Sequence, residues 1–294
     1  GIPHEEFYPF RQYSNYQRRS EVCRIRPKGV NLSRRPGFGG RRKTRKSVTA
    51  TNTRTTPSIP GITTALSPLV IRMAGHAESQ LEMAMTSAIR RDARGAARVP
   101  PGDDVLDDLQ ARIDTKAQQL LMEHRPAQED LNEILGAMRI AGDLERIGDY
   151  AANISKRVVP LAEFSELPPI GAVSRMGRLV REVLHGVVTA YSRRDLAGAI
   201  DAWHRDEDLD DLYTSLHREV LTYMMEDPRN ITGYIHILFI AKNVERIGDH
   251  ATNIAEQVHL IISGEPFDQA RPKGDETPGQ LIRPADKPSD QDSA

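Results

Sequence analysis

A twelve-residue pattern occurs twice in this chain, one hundred positions apart. LERIGDYAANIS occupies residues 144–155 and VERIGDHATNIA occupies residues 244–255, with eight identical residues at the same offsets. A duplicated pattern of this length indicates an internal repeat, in which each copy forms the same supersecondary unit.

The repeat is much longer than this pattern. IRRDARGAA at 89–97 matches SRRDLAGAI at 192–200, and VLDDL at 105–109 matches DLDDL at 208–212, both with a displacement of 103 residues. The middle of the chain therefore consists of two copies of one unit of about a hundred residues.

Each copy has three amphipathic segments with helical periodicity, and only 5% of the residues are aromatic. Such segments joined by short turns favour an antiparallel bundle. Pro126 and Pro228 precede the third segments, where proline suits a first helical turn, and LPPIG separates the copies. The sequence predicts an all-α fold of two tandem, pseudo-symmetric three-helix bundles, at 62–164 and 170–264. The predicted helices are 65–98, 103–123, 128–159, 170–201, 204–226 and 229–262.

Both ends of the chain differ from its middle. Residues 1–60 hold 14 Lys and Arg against 3 acidic residues, a formal charge of +11, and have no regular hydrophobic period. We expect residues 1–61 to be a disordered basic leader, either a solvated tail or a segment foreign to the natural protein, rather than an arm for nucleic acid or anionic lipid. Residues 265–294 are rich in Pro, Gly and charge and predict a disordered tail.

The remaining composition indicates a cytoplasmic protein that does not bind nucleic acid. Cys23 is the only cysteine, so the two repeats have neither a disulfide framework nor a thiolate metal site. The longest apolar run is far short of the ~20 residues that span a bilayer, and no secretory signal opens the chain. The residues between the two ends carry a formal charge of −9, which conflicts with binding to a polyanion.

The duplicated pattern combines an apolar stripe with a row of oxygen-bearing side chains. In the first copy Leu144, Ile147 and Ala151 lie on one helix face and predict core positions. Glu145, Asp149 and Asn153 are spaced i, i+4, i+8, on the face that we expect to be exposed; the second copy repeats this row. A Gly inside a helix costs about 1 kcal/mol relative to Ala, so Gly148 and Gly248 indicate close approach by a neighbouring helix or an ion.

The second helix of each copy adds two more carboxylates, four residues apart. If helices two and three meet at these residues, each copy gathers an all-oxygen cluster, which suits hard cations such as Mg²⁺, Mn²⁺, Ca²⁺ or iron. The alternative is a solvated acidic face, and the duplication favours the cation site. The candidate ligands are Asp103, Asp107, Glu145, Asp149 and Asn153, and Asp206, Asp210, Glu245, Asp249 and Asn253.

Enzymatic functions find less support. The chain has no Gly-rich phosphate loop, no Gly-x-Ser-x-Gly and no His-Glu-x-x-His pattern. The main alternative of another class is a metal-dependent phosphohydrolase on a helical bundle. A His–Asp pair beside the carboxylates would distinguish it, and the sequence shows none.

The paired signatures resemble those of the PhoU family of phosphate-transport regulators. RPAQEDL at 125–131 resembles the turn before the family's first signature, and RMAGHAESQLEMA at 72–84 and SRMGRLVREVL at 174–184 resemble the openings of its two bundles. The resemblance covers about residues 65–264. ITTALSPLVI departs from it, with Pro68 where a long helix should already be running, so we expect an altered beginning of the first bundle.

The resemblance implies a cytoplasmic, non-enzymatic negative regulator of phosphate uptake and of the phosphate-starvation response. Such a protein is an adaptor between the phosphate-specific ABC transporter and a membrane sensor histidine kinase, and contacts the membrane only through these partners. It further implies a homodimer, and metal clusters at the paired carboxylate motifs.

Overall fold

The computed structural model describes residues 61–99, 103–124, 126–165 and 167–269, without the side chains of residues 62–64 and 103. The predicted leader up to residue 60 and the tail from residue 270 lie outside these ranges. The described residues contain no strand. They form eight α-helices and a 3-10 turn at Pro228–Asn230. The helices are α1 Ile62–Arg90, α2 Ala93–Ala96, α3 Asp103–Glu123, α4 Gln128–Leu161, α5 Ile170–Arg193, α6 Leu196–His204, α7 Asp206–Glu226 and α8 Ile231–Ser263.

The predicted all-α fold is confirmed, but the first helix of each repeat is shorter than expected. The single helices predicted at 65–98 and 170–201 are each divided in two, because Arg91 (φ 53°) and Arg194 (φ 56°) adopt the left-handed conformation that ends α1 and α5. Both corners occupy the same position of the repeat. The matched segments at 89–97 and 192–200 therefore encode a corner rather than continuous helix.

An aspartate cap and a glycine build each corner. The Asp92 carboxylate accepts a hydrogen bond from the Arg94 backbone N–H at 3.0 Å, and Asp195 accepts one from Gly198 N–H at 3.1 Å. These bonds satisfy N–H groups that an isolated helix start leaves unpaired. A Cβ added to Gly95 or Gly198 would lie 2.7 Å from the other oxygen, Oδ2, of the capping carboxylate, so glycine lets the cap take this position without a shift.

The most extensive helix contact joins the two signature helices, α4 and α8. They run antiparallel: a Cβ on Gly136 near the start of α4 would meet Ile261 Cδ1 at 2.5 Å near the end of α8, and Arg139 donates to Gln257 Oε1 at 3.2 Å. The predicted apolar stripes are buried in both copies. The two bundles thus share one core along this central pair.

The first helix contributes to this core from Leu66 onward. Leu66 and Val70 are buried on either side of Pro68, and α1 continues through the proline. The Ser67 and Tyr191 hydroxyls lie 3.1 Å apart, which links α1 to α5. Burial raises the pKa of Tyr191 to about 12. The expected alteration does not prevent this part of α1 from packing as a core helix.

The chain after α8 folds back on the second bundle. The Phe267 ring centroid lies 4.5 Å from that of Trp203 and 4.8 Å from that of His259. The predicted disordered tail from residue 265 is therefore wrong for residues 265–269, because an aromatic side chain there covers the buried Trp203. Among the described residues, no helix is long and apolar enough to cross a membrane.

Candidate functional site at the signature helices

The carboxylates of the second repeat lie where α7 packs against α8. Asp206, Asp210 and Glu245 are only 4%, 6% and 6% exposed. The Thr252 hydroxyl donates to Asp206 Oδ1 at 3.1 Å and to the Gly248 carbonyl at 3.0 Å. The prediction that Glu245 faces solvent is wrong, because the start of α7 covers it, whereas Asp249 and Asn253 of the same row are half-buried.

Gly248 permits this packing. A Cβ built on it would overlap Leu209 Cδ2 and would lie 3.8 Å from Asp206 Oδ1. The predicted close approach of a neighbouring helix is confirmed at Gly248, and the neighbour is the first turn of α7.

The buried position of Glu245 disfavours the charged form of its carboxyl group. Burial raises the pKa of its carboxyl group, and the nearby carboxylates Asp249 and Asp210 raise it further. Lys242 opposes these effects, since its Nζ lies 2.9 Å from Glu245 Oε1. A second cation near Glu245 would lower the free energy of its charged form.

The first repeat arranges its carboxylates differently. Arg146 lies 3.3 Å from Glu145 Oε2 and 2.8 Å from Asp149 Oδ2, so one arginine serves both acids. Asp107 is exposed, whereas its equivalent Asp210 is buried, and the Asp103 side chain lies outside the described part of the structure. Asn153 accepts a hydrogen bond from Lys156 at 3.3 Å.

The donor atoms fit a hard cation in kind, because all are carboxylate, amide or hydroxyl oxygens. In the described side chains, no three acidic or histidine residues are gathered as a metal-binding group. In the second repeat the charges of Asp249 and Asp210 act on the buried Glu245, and a cation would offset them. Asp210, Glu245 and Asp249 are the residues that would hold a cation there.

A different set of polar residues lies between α4 and α8. His250 Nδ1 is 2.8 Å from Asp143 Oδ1, and Asn253 donates to the same oxygen at 3.3 Å. The Tyr150 and His250 ring centroids, at equivalent positions of the two repeats, are 5.6 Å apart. The interface thus joins the two signature copies directly.

A groove of about 440 Å³ lies on the other side of this polar contact. It runs between the second half of α4 and the first half of α8, and we call it the basic groove. Its lining residues are Tyr150, Asn153, Lys156, Arg157, Phe239, Lys242, Asn243 and Arg246. Four of them are cationic and none is acidic.

Comparison with known proteins decides the family. A model of the PhoU domain matches residues 70–158 and, a second time, residues 173–258. The chain belongs to the PhoU family. The two matches coincide with the two repeats and include both signature helices almost completely.

Relatives and solved structures agree with this PhoU assignment. A "Phosphate-specific transport system accessory protein PhoU homolog" of Caulobacter vibrioides is 46% identical over 207 residues, or 70% of this chain and 90% of the relative. The homolog of Xylella fastidiosa is 44% identical over 208 residues, 71% of this chain and 86% of its own length. The PhoU crystal structure from Pseudomonas aeruginosa has a TM-score of 0.68 and 32% identity, covering 70% and 99% of the two chains. That of Streptococcus pneumoniae PhoU has 0.64 and 25%, covering 69% and 96%.

PhoU proteins are accessory regulators and not enzymes, so the expected lack of catalytic function is confirmed. A His–Asp pair beside the carboxylates is the expected sign of a hydrolase, and the structure contains a His–Asp pair, His250 with Asp143. His250 on α8 contacts α4 through Asp143, whereas Thr252 and Gly248 on the same helix contact α7. The pair therefore stabilises the contact between the repeats and does not adjoin the buried carboxylates.

Sequence reasoning missed the basic groove entirely. Its residues come from two segments about a hundred positions apart and no local motif joins them. The one available signal was the unequal charge of the equivalent positions, Lys156 against Glu256 and Arg157 against Gln257.

Proposed function

We propose that this protein is a cytoplasmic negative regulator of phosphate uptake and of the phosphate-starvation response. In this role it bridges the phosphate-specific ABC transporter and a membrane sensor histidine kinase while phosphate is abundant. The observation that carries the proposal is the similarity to a phosphate-specific transport system accessory protein PhoU homolog. This chain is 46% identical to that relative over 90% of the relative's length.

The geometry is compatible with an adaptor. The α4–α8 pair presents the basic groove to solvent, where a negatively charged partner surface could dock, while the carboxylates of the second repeat are buried against α7. We also propose a homodimer, which the family resemblance supports. Its test is the mass of the purified chain by light scattering.

We further propose that the candidate carboxylates bind hard cations, chiefly those of the second repeat. Support comes from the burial of Asp210 and Glu245 and from the mutual effect of Glu245 and Asp249, since a cation would relieve their repulsion. The ion would act in folding and docking, because the family is not enzymatic.

Affinity capture of the full chain tests the adaptor function. From phosphate-replete cells, the tagged protein should recover both the transporter and the kinase, and a strain lacking the gene should express a phosphate-regulated reporter constitutively. Capture of neither partner, with a reporter that stays repressed in the deletion strain, would reject the proposal.

A phosphoester assay on the purified protein with Mg²⁺ or Mn²⁺ tests the rival hydrolase function. We expect no turnover above that of a heat-denatured control. Turnover that disappears in the Glu245→Gln variant would favour the hydrolase instead.

A further inference from the structure

The basic groove concentrates positive charge in a concave site. Lys156 and Arg157 come from α4, Lys242 and Arg246 come from α8, and the lining contains no carboxylate. Its volume of about 440 Å³ falls within the usual range of small-molecule pockets, roughly 300–1,000 Å³. A protein whose formal charge is −1 overall therefore places four cations around one opening.

Three of these cations make their direct contacts with neutral groups. The Arg157 guanidinium carbon lies 4.3 Å from the Phe239 ring centroid, and Arg246 donates to the Tyr150 hydroxyl at 3.5 Å. Lys156 donates to Asn153. Within the described residues, no carboxylate lies at ion-pair distance from any of the three, whereas Lys242 contacts Glu245. The hydrogen bond to Tyr150, and then at longer range the charges of Glu245 and Asp249, raise the pKa of Arg246, so this arginine is not isolated from acidic groups.

The pseudo-symmetry of the fold supplies an internal comparison. The opposite end of the α4–α8 interface has the equivalent backbone, but its polar side chains bond to one another, as in the Asp143–His250 and Arg139–Gln257 contacts. Glu256 there accepts a hydrogen bond from Trp203. A displacement of 100 residues changes six of the eight lining residues, and three cations are lost: Lys156 becomes Glu256, Arg157 becomes Gln257 and Lys242 becomes Gly142. The basic groove is thus particular to one end and is not a consequence of the repeat.

We propose that the basic groove binds a phosphate-bearing anion, with Arg157 and Arg246 as its principal ligands. Arginine presents several N–H donors in a planar fork that matches phosphate oxygens. Asn153 and Asn243 add neutral polar groups, and Phe239 and Tyr150 form an aromatic wall beside the site. The inference rests on the proposed function for its physiological meaning, since it gives a phosphate regulator a direct contact with phosphate.

Calorimetric titration of the full chain tests this site, with inorganic phosphate and with ATP as separate probes and sulfate as the reference anion. Arg246→Gln and Arg157→Gln should each weaken binding at least about tenfold, since each removes charged hydrogen bonds. Arg146→Gln is the matched control: it stands 100 residues earlier, makes the same charge change, and should leave binding within about twofold. All three variants should unfold near the native temperature, because these side chains are partly or fully exposed.

The outcomes are distinct. Tighter binding of ATP assigns a nucleotide to the groove, and tighter binding of phosphate assigns the inorganic anion; both support the proposal. No saturable binding of either probe, equal affinity for sulfate, or equal weakening by Arg146→Gln would overturn it. Displacement of both probes by a poly-glutamate peptide that binds the groove more tightly would also overturn it, since that result identifies a protein-docking surface. The reporter of the deletion strain does not depend on these titrations, so the two proposals can fail separately.

Discussion

Asp210 and Asp107 occupy equivalent positions in the two repeats, yet Asp210 is 6% exposed while Asp107 lies in solvent. The glutamates of the two signature helices also differ. Glu245 is buried and pairs with Lys242, whereas Glu145 pairs with the exposed Arg146, which also contacts Asp149. The corners of the repeats, by contrast, have the same cap and the same left-handed arginine. Duplication has kept the local backbone geometry while the polar faces have become different.

The largest expected effect concerns metal binding. Added Mn²⁺ at a hundred times its Kd should stabilise the native protein by about 2.7 kcal/mol. The Asp210→Asn, Glu245→Gln variant should lose this gain, because it removes the buried carboxylates. Its first-repeat counterpart, Asp107→Asn with Glu145→Gln, should retain most of it. Thermal midpoints with and without Mn²⁺ measure both, and an equal loss in the two variants would show that the repeats do not differ as metal sites.

The glycine of the second signature should show the next largest effect. Gly248→Ala places a methyl group against buried Leu209, and overpacking of about 1–3 kcal/mol should exceed the helix-propensity gain of about 1 kcal/mol. Gly186→Ala in α5, where an added Cβ meets nothing within 4 Å, should instead stabilise by about 0.4–1 kcal/mol. Urea unfolding measures the contrast, which we expect to be about 2 kcal/mol. Stabilisation by both substitutions would refute the close contact.

The corners provide the opposite comparison, since here the repeats should behave alike. Asp92→Ala and Asp195→Ala should each cost about 1 kcal/mol through loss of the helix cap. Asp201→Ala, at an exposed position of α6, is the control and should change stability by less than about 0.5 kcal/mol. The same unfolding measurement applies, and a corner variant as stable as the control would mean that its cap contributes nothing.

The smallest effect is a dependence on pH. Burial raises the pKa of Glu245 above its ordinary 4.5, so the folded state binds this proton more tightly than the unfolded state. Its contribution to the free energy of unfolding is therefore greatest at low pH and falls as pH rises through and beyond 4.5. The stability difference between the native protein and Glu245→Gln should fall in the same direction, as measured by urea unfolding from pH 4 to 8. A difference that grows with pH would contradict the raised pKa.

Periodicity predicted the helices and their buried stripes because both depend on neighbours three and four residues away. It located α3 and α4 closely, and the duplicated signature indicated the PhoU family. It missed the corners, since Arg91 and Arg194 give no sign of a left-handed conformation by residue type. It also placed Glu245 in solvent, because only tertiary packing brings α7 over that residue. The basic groove joins residues about a hundred positions apart, which no local pattern could reveal.

The antiparallel contact of α4 with α8 also sets an order of events during synthesis. The α4 side chains that meet α8, such as Arg139 and Asp143, leave the ribosome about a hundred residues before Gln257 and His250. At a synthesis rate of roughly 5–20 residues per second, this face of α4 stays exposed for on the order of 5–20 seconds before α8 is made and can pack on it. For that interval we expect the first bundle to be a natural client of chaperones that shield newly made apolar surface.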